Sequence, residues 1–195
     1  MQITSIDQLI HSINLLPRKQ NTLLIGIDGC GGSGKSTFSG KLEERCRNVT
    51  IVHFDDFYLP SSEIIQDHPK NKPIGADFDY KRLFNQVLNP LSQNRVGKYQ
   101  RYDWNLDQLA EWHQVPVGEI VIIEGVYSLR EELVDMYDYS IWVECPRETR
   151  LARGLDRDGE EARDMWEKNW MIAEDLYMEA HRPYEKAKLI ISGTK

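Results

Sequence analysis

Short apolar runs alternate along this chain with stretches whose apolar residues recur every three or four positions. The runs Thr22 to Asp28, Val49 to Phe54, Ile120 to Glu124, Tyr139 to Glu144 and Leu189 to Ser192 read as strands. They are nearly continuous in apolar residues, as strands covered on both faces are. Helical spacing marks Thr37 to Cys46, Tyr80 to Leu91, Leu129 to Met136, a stretch from about Arg147, and a long one from Ala162 to Ala180. In the last of these, Trp166, Trp170, Ala173 and Tyr177 follow a period of 3.6 and read as core. Ahead of the first strand, Ile6, Leu9, Ile10, Ile13 and Leu16 form the stripe of a helix over about 5–16, and Ser5 and Gln8 are spaced for a capping box. Strand and helix alternating in this way predict an α/β fold built on a doubly wound parallel sheet.

The one long interruption, Pro60 to Gly75 with Pro69 and Pro73 inside it, exceeds an ordinary connection. It reads as a loop over about 58–78 that covers a substrate, not as a domain boundary. With 195 residues, 41% of them hydrophobic, the chain suits one domain over 1–195. A domain of that size buries roughly 70% of its unfolded surface without staples. The net charge of −7 gives no global positive field to recruit a polyanion, so nucleic acid and anionic membranes are excluded as partners. Cys30, Cys46 and Cys145 are odd in number and lack C-x-x-C spacing, which suggests neither a disulfide framework nor a zinc site. No apolar run approaches a membrane span, and the first residues lack the pattern of a secretion signal. A cytoplasmic location is the expectation, and a homo-oligomer stays open.

Candidate chemistry clusters at the strand ends, where such sheets place their ligands. Residues 29–36 read Gly-Cys-Gly-Gly-Ser-Gly-Lys-Ser, a complete G-x-x-x-x-G-K-[ST] loop between a strand and a helix. Its glycines let backbone N–H groups converge on phosphate oxygens, and the following helix adds the positive end of its dipole. The nucleotide-binding set is therefore Gly29, Gly31, Gly32, Ser33, Gly34, Lys35, Ser36 and Thr37. Lys35 is expected on the β- and γ-phosphates and Ser36 on Mg²⁺. Asp55 and Asp56 follow the second strand, and one of them is expected to accept the proton of an attacking hydroxyl. Glu124 closes the third strand where an acid that holds Mg²⁺ is usual, so Ser36, Asp55 and Glu124 are the candidate metal ligands. Arg150, Arg153 and Arg157 share one helix face and read as a mobile lid over about 147–162 that closes on a transferring phosphate. His53, His113 and His181 show no metal-ligand spacing and read as structural or surface residues.

Taken together, Gly-Cys-Gly-Gly-Ser-Gly-Lys-Ser-Thr at 29–37, Asp-Asp-Phe-Tyr at 55–58, Tyr-Asp-Trp at 102–104, Ile-Glu-Gly-Val at 123–126 and the arginine-rich stretch at 149–158 resemble the uridine kinase family of P-loop kinases. The resemblance implies that Asp55 is the base and that Tyr58 and Tyr102 line the acceptor pocket. It also implies that Arg150 and Arg153 lie near phosphate and sugar, with Arg153 assisting catalysis and Arg157 meeting the nucleotide. It implies ATP or GTP as donor, Mg²⁺ as cofactor and a nucleoside, uridine or cytidine, as small-molecule acceptor. Two features depart from the family. Asn105-Leu106-Asp107 follow Tyr102-Asp103-Trp104 where a base-reading histidine is customary, and Asp67-His68-Pro69 sits in a differently spaced loop before Asp77 and Asp79. A sugar phosphate, pantothenate or nicotinamide riboside therefore stays open as acceptor. So does a nucleotide switch without an acceptor, although Asn71-Lys72-Pro73-Ile74 lacks the carboxylate of a guanine motif.

Overall fold

A computed structural model describes residues 5–194. Ser5 caps helix α1 (Ile6–Asn14), its hydroxyl accepting from the Gln8 N–H at 3.2 Å. The chain then runs through β1 (Leu23–Asp28), α2 (Lys35–Arg45) and β2 (Val49–His53). Helix α3 (Tyr80–Leu83) continues through a π-helical turn, Phe84–Leu88, into α4 (Asn89–Ser92). Next come β3 (Gly97–Asp103), β4 (Gln108–Val115), β5 (Ile120–Glu124) and β6 (Tyr139–Glu144). Helix α5 (Arg147–Asp158) leads to α6 (Arg163–Met165), a second π-helical turn at Trp166–Trp170, α7 (Met171–His181), α8 (Pro183–Lys186) and β7 (Leu189–Ser192).

The five strands read from the sequence form one parallel sheet in the order β2-β5-β1-β6-β7. Successive residues of β1 point to opposite faces. Leu23, Ile25 and Ile27 join Leu9, Ile13, Leu42, Ile120 and Ile122 on one face. Leu24 joins Val52, Phe54, Phe57, Val121, Ile123 and Tyr177 on the other. Helices cover both faces, and the chain leaves β1 toward β2 on one side and later enters β6 on the other. That reversal opens a crevice at the carboxyl end of β1.

Two elements differ from the sequence reading. Leu129, Leu133 and Tyr137 are buried at helical spacing, but 125–137 forms turns with only a 3-10 turn at Val134–Met136. The Leu129 N–H is given to the Asp28 carboxylate at 2.7 Å, and Leu129 and Tyr137 pack where Gly26 leaves no space for a side chain. These tertiary anchors set the spacing in place of a helix. The second difference is an antiparallel hairpin, β3 with β4, outside the main sheet. In the last helical stretch Trp166 and Tyr177 are core as read, whereas Trp170 is exposed.

Candidate active site

Position in the sheet builds the site. The glycine-rich loop leaves β1 at the crevice and feeds directly into α2, whose N-terminus carries no side-chain cap. Gly32 takes φ +74°, and a Cβ there would come within 2.5 Å of the Arg150 carbonyl oxygen. That position therefore admits glycine alone. Ser33 folds back on the loop, its N–H donating to the Cys30 carbonyl at 3.1 Å.

The parallel register sets Glu124 level with Ile27 of β1 and His53 of β2. Ser36 donates from Oγ to Glu124 Oε1 at 3.1 Å, and His53 Nδ1 lies 2.8 Å from Glu124 Oε2. Burial opposes the Glu124 charge, but the His53 hydrogen bond and the nearby Lys35 ammonium outweigh it and hold the carboxyl below the usual range. An ionised carboxylate beside a hydroxyl is a hard oxygen donor set that fits Mg²⁺. Among the described residues no three His, Cys, Asp or Glu side chains form a metal cage. Phosphate and water oxygens would have to complete the shell, as is usual for this ion.

Asp55 and Asp56 lie on the 3-10 turn Phe54–Phe57 that follows β2. Asp56 is committed elsewhere: its carboxylate accepts from the Tyr99 hydroxyl at 2.8 Å, and its carbonyl accepts from Arg82 at 3.0 Å. Asp55 reaches solvent yet is hemmed in by protein, and this loss of water raises its carboxyl above the usual range, with Lys35 pulling it back down. The structure thus brings Lys35, Ser36, Asp55 and Glu124 to one mouth at the ends of β1, β2 and β5.

The side carrying Tyr58 and Tyr102 is aromatic. Tyr58 meets Trp104 at 4.4 Å between ring centroids, Phe78 at 5.0 Å and Tyr102 at 5.5 Å. An isolated bridge between Tyr58 and Phe78 closes the base of the 58–78 loop. At its outer end, Asp107 accepts from the Ser61 N–H at 2.8 Å, from the Ser61 hydroxyl, and from the Tyr102 hydroxyl at 2.7 Å. Of the three aspartates in the loop region, Asp67 caps its own exposed turn, Asp77 pairs with Lys72 at 2.6 Å, and Asp79 caps α3.

The three arginines separate. Arg157 is exposed, pairs with Asp158 at 2.7 Å and senses the charge of Asp55. Arg153 donates to the carbonyls of Gly32 at 3.1 Å and Gly193 at 3.0 Å, bracing the outside of the loop. Arg150, expected in the lid, is buried against Glu174 at 2.7 Å, and its carbonyl lies beside Gly32 of the phosphate loop.

Three residues of the site escaped the sequence reading. Asp28, buried at the end of β1, accepts from Gly29 N–H at 2.6 Å, Leu129 N–H at 2.7 Å and Tyr177 hydroxyl at 2.7 Å. Burial pushes it up to about 6 despite those donors. Its place just before Gly29 was the available signal. His53, read as structural or surface, orients Glu124, and Glu174 carried no signal because its partners are remote in sequence.

A sequence profile of the Phosphoribulokinase / Uridine kinase family matches residues 24–165. A uridine kinase of Brevibacillus brevis is 28% identical over 150 residues, covering 72% of this chain and 68% of that one. A solved structure described as a possible uridine kinase from Bacillus stearothermophilus superposes with a TM-score of 0.75 at 22% identity, covering 95% of this chain and 96% of that one. The D-glycerate 3-kinase of Cryptococcus neoformans shares the fold more distantly, with a TM-score of 0.60 at 14% identity over 97% of this chain and 93% of that one. A parallel sheet with a phosphate loop at its switch point, strand-end acids at 55 and 124, and a profile match across most of the chain agree: the protein belongs to the phosphoribulokinase/uridine kinase family and is a phosphotransferase acting on a small molecule.

Proposed function

We propose that this protein transfers the γ-phosphate of ATP or GTP to a hydroxyl of a nucleoside, uridine or cytidine, in a single domain with Asp55 as general base. The observation that carries this reading is the placement of Asp55 within the field of Lys35, beside the Ser36–Glu124 contact. Loop amides and the open N-terminus of α2 grip the triphosphate, with Lys35 set against its β- and γ-oxygens. Ser36 and Glu124 would hold Mg²⁺, which supplies neutralisation of phosphate charge when bound. Asp55 accepts the acceptor's proton; Lys35 keeps this carboxyl from rising further and so preserves its basic form. Tyr58 and Tyr102 flank the acceptor, and Arg157 is the lid arginine best placed to meet the transferring group.

A second reading, an acceptor smaller than a nucleoside, is favoured by one observation. The Tyr58 and Trp104 rings are packed at 4.4 Å and leave no slot for a base between them. A panel of nucleosides, sugars and short polyols with labelled ATP and Mg²⁺ separates the readings. Transfer to uridine or cytidine supports the first and transfer only to sugars or polyols the second. ATP hydrolysis indifferent to every acceptor would overturn both.

A further inference from the structure

The phosphate loop touches a buried ion pair that the proposed chemistry does not use. Glu174, on α7, accepts the Gly31 N–H with Oε1 at 2.6 Å and the Arg150 guanidinium with Oε2 at 2.7 Å. The Arg150 and Glu174 side chains are 6% and 5% exposed. Arg150 also meets the loop through its backbone, since its carbonyl fills the space beside Gly32. Above the pair, the Trp166 indole wedges between Gly31 and Gly154, where a side chain at either glycine would overlap it.

A carboxylate buried a few residues from the place where a triphosphate lands is unfavourable for binding. Its position needs a compensating gain. We infer that Glu174 is a positioning residue that pins Gly31 from behind, holding the loop in its phosphate-receiving shape, and that Arg150 is the counter-ion that lets this carboxylate be buried. A loop of four glycines samples many conformations when untethered, and fixing one amide removes much of that freedom before the ligand arrives. The hydrogen bond is charge-assisted, which makes it stronger than a neutral one. Arg150 keeps the charge balanced, because a buried ion that loses its partner destabilises the fold strongly. This inference rests on the phosphate loop binding a nucleotide, as the proposed function has it.

The test uses two double variants of the full chain, because single removal of either partner strands a buried charge. Glu174→Leu with Arg150→Met replaces the pair by apolar groups, a change that buried pairs often tolerate without loss of stability. Glu174→Gln with Arg150→Met removes the charges but restores an acceptor for the Gly31 N–H. Calorimetric titration with ATP and with adenosine, beside thermal melts, gives the readout. The apolar pair is expected to melt near the wild type yet bind ATP roughly 10-fold more weakly, a preorganisation loss, with adenosine affinity unchanged. The Gln variant is expected to recover most of the ATP affinity. ATP binding within two-fold of wild type in a folded apolar variant, or equal losses for ATP and adenosine, would overturn the inference. Binding is measured without an acceptor, so this failure differs from failure of the kinase reading, which shows as absence of phosphoryl transfer by the wild-type chain.

Discussion

His53 and Glu124 occupy register-paired positions on neighbouring parallel strands and share a hydrogen bond of 2.8 Å. The other oxygen of Glu124 is left to Ser36, so the histidine fixes which face of the carboxylate meets the phosphate loop. His53→Ala is expected to raise the Mg²⁺ concentration for half-maximal activity by roughly 10-fold, the lower range for losing a residue that orients a metal ligand. The KM of the acceptor is expected to stay unchanged. Activity titrated against Mg²⁺ checks this, and an unaltered Mg²⁺ midpoint counts against the role.

Asp55→Asn is expected to cut turnover by roughly 10² to 10⁴ while ATP affinity holds, since the amide keeps the shape but accepts no proton. Steady-state rates beside a binding isotherm decide it. Unchanged turnover removes Asp55 as base, and Asp56, already tied to Tyr99, is no ready substitute.

Asp28 gives a signed pH dependence. Its carboxyl, raised to about 6 in the fold, is protonated more readily there than in the unfolded chain. Between pH 4 and 6 the native state therefore binds the extra proton, and stability falls as pH rises through that window. The shift corresponds to an order of about 3 kcal/mol. Denaturation of the wild type and Asp28→Asn at several pH values should show their difference changing by up to that amount, in that direction, and levelling off above about pH 6. A flat difference across the window would show that burial does not govern this carboxyl.

Gly154 faces the Trp166 indole, and a methyl group there would overlap the ring. Gly154→Ala is expected to destabilise the fold by about 1–3 kcal/mol, the usual cost of overpacking. Gly154→Ala combined with Trp166→Leu is expected to cost less than the sum of the two single variants. Additive losses in thermal or chemical denaturation would show that the two residues do not meet.

Much of the fold is legible in the residues alone. The central strands β1, β5 and β6 announce themselves because both of their faces are covered, and the edge strands β2 and β7 still carry short apolar runs although they are only partly buried. The phosphate loop is fixed by local geometry: Gly32 must turn with positive φ, and Lys35 and Ser36 must open the next helix. Strand ends then place Asp55 and Glu124 at the crevice wherever the sheet order puts it.

Tertiary structure decided the rest, for a reason of distance along the chain. Leu129, Leu133 and Tyr137 imitate a helix, and only the Asp28 carboxylate and the gap at Gly26 show that the segment is a series of turns. The hairpin β3–β4 was missed because its strands are half-exposed and lack an unbroken apolar run. Arg150 looked like its neighbours on a helix face, yet its fate depends on Glu174, 24 residues away, which also grips Gly31 across 143 residues. His53 meets Glu124 across 71 residues through sheet register. The sequence determined which groups reach the ends of the strands. Packing between remote segments decided which of them are buried, which are paired, and which are left to meet a ligand, because burial and charge balance belong to the assembled core and not to any local stretch.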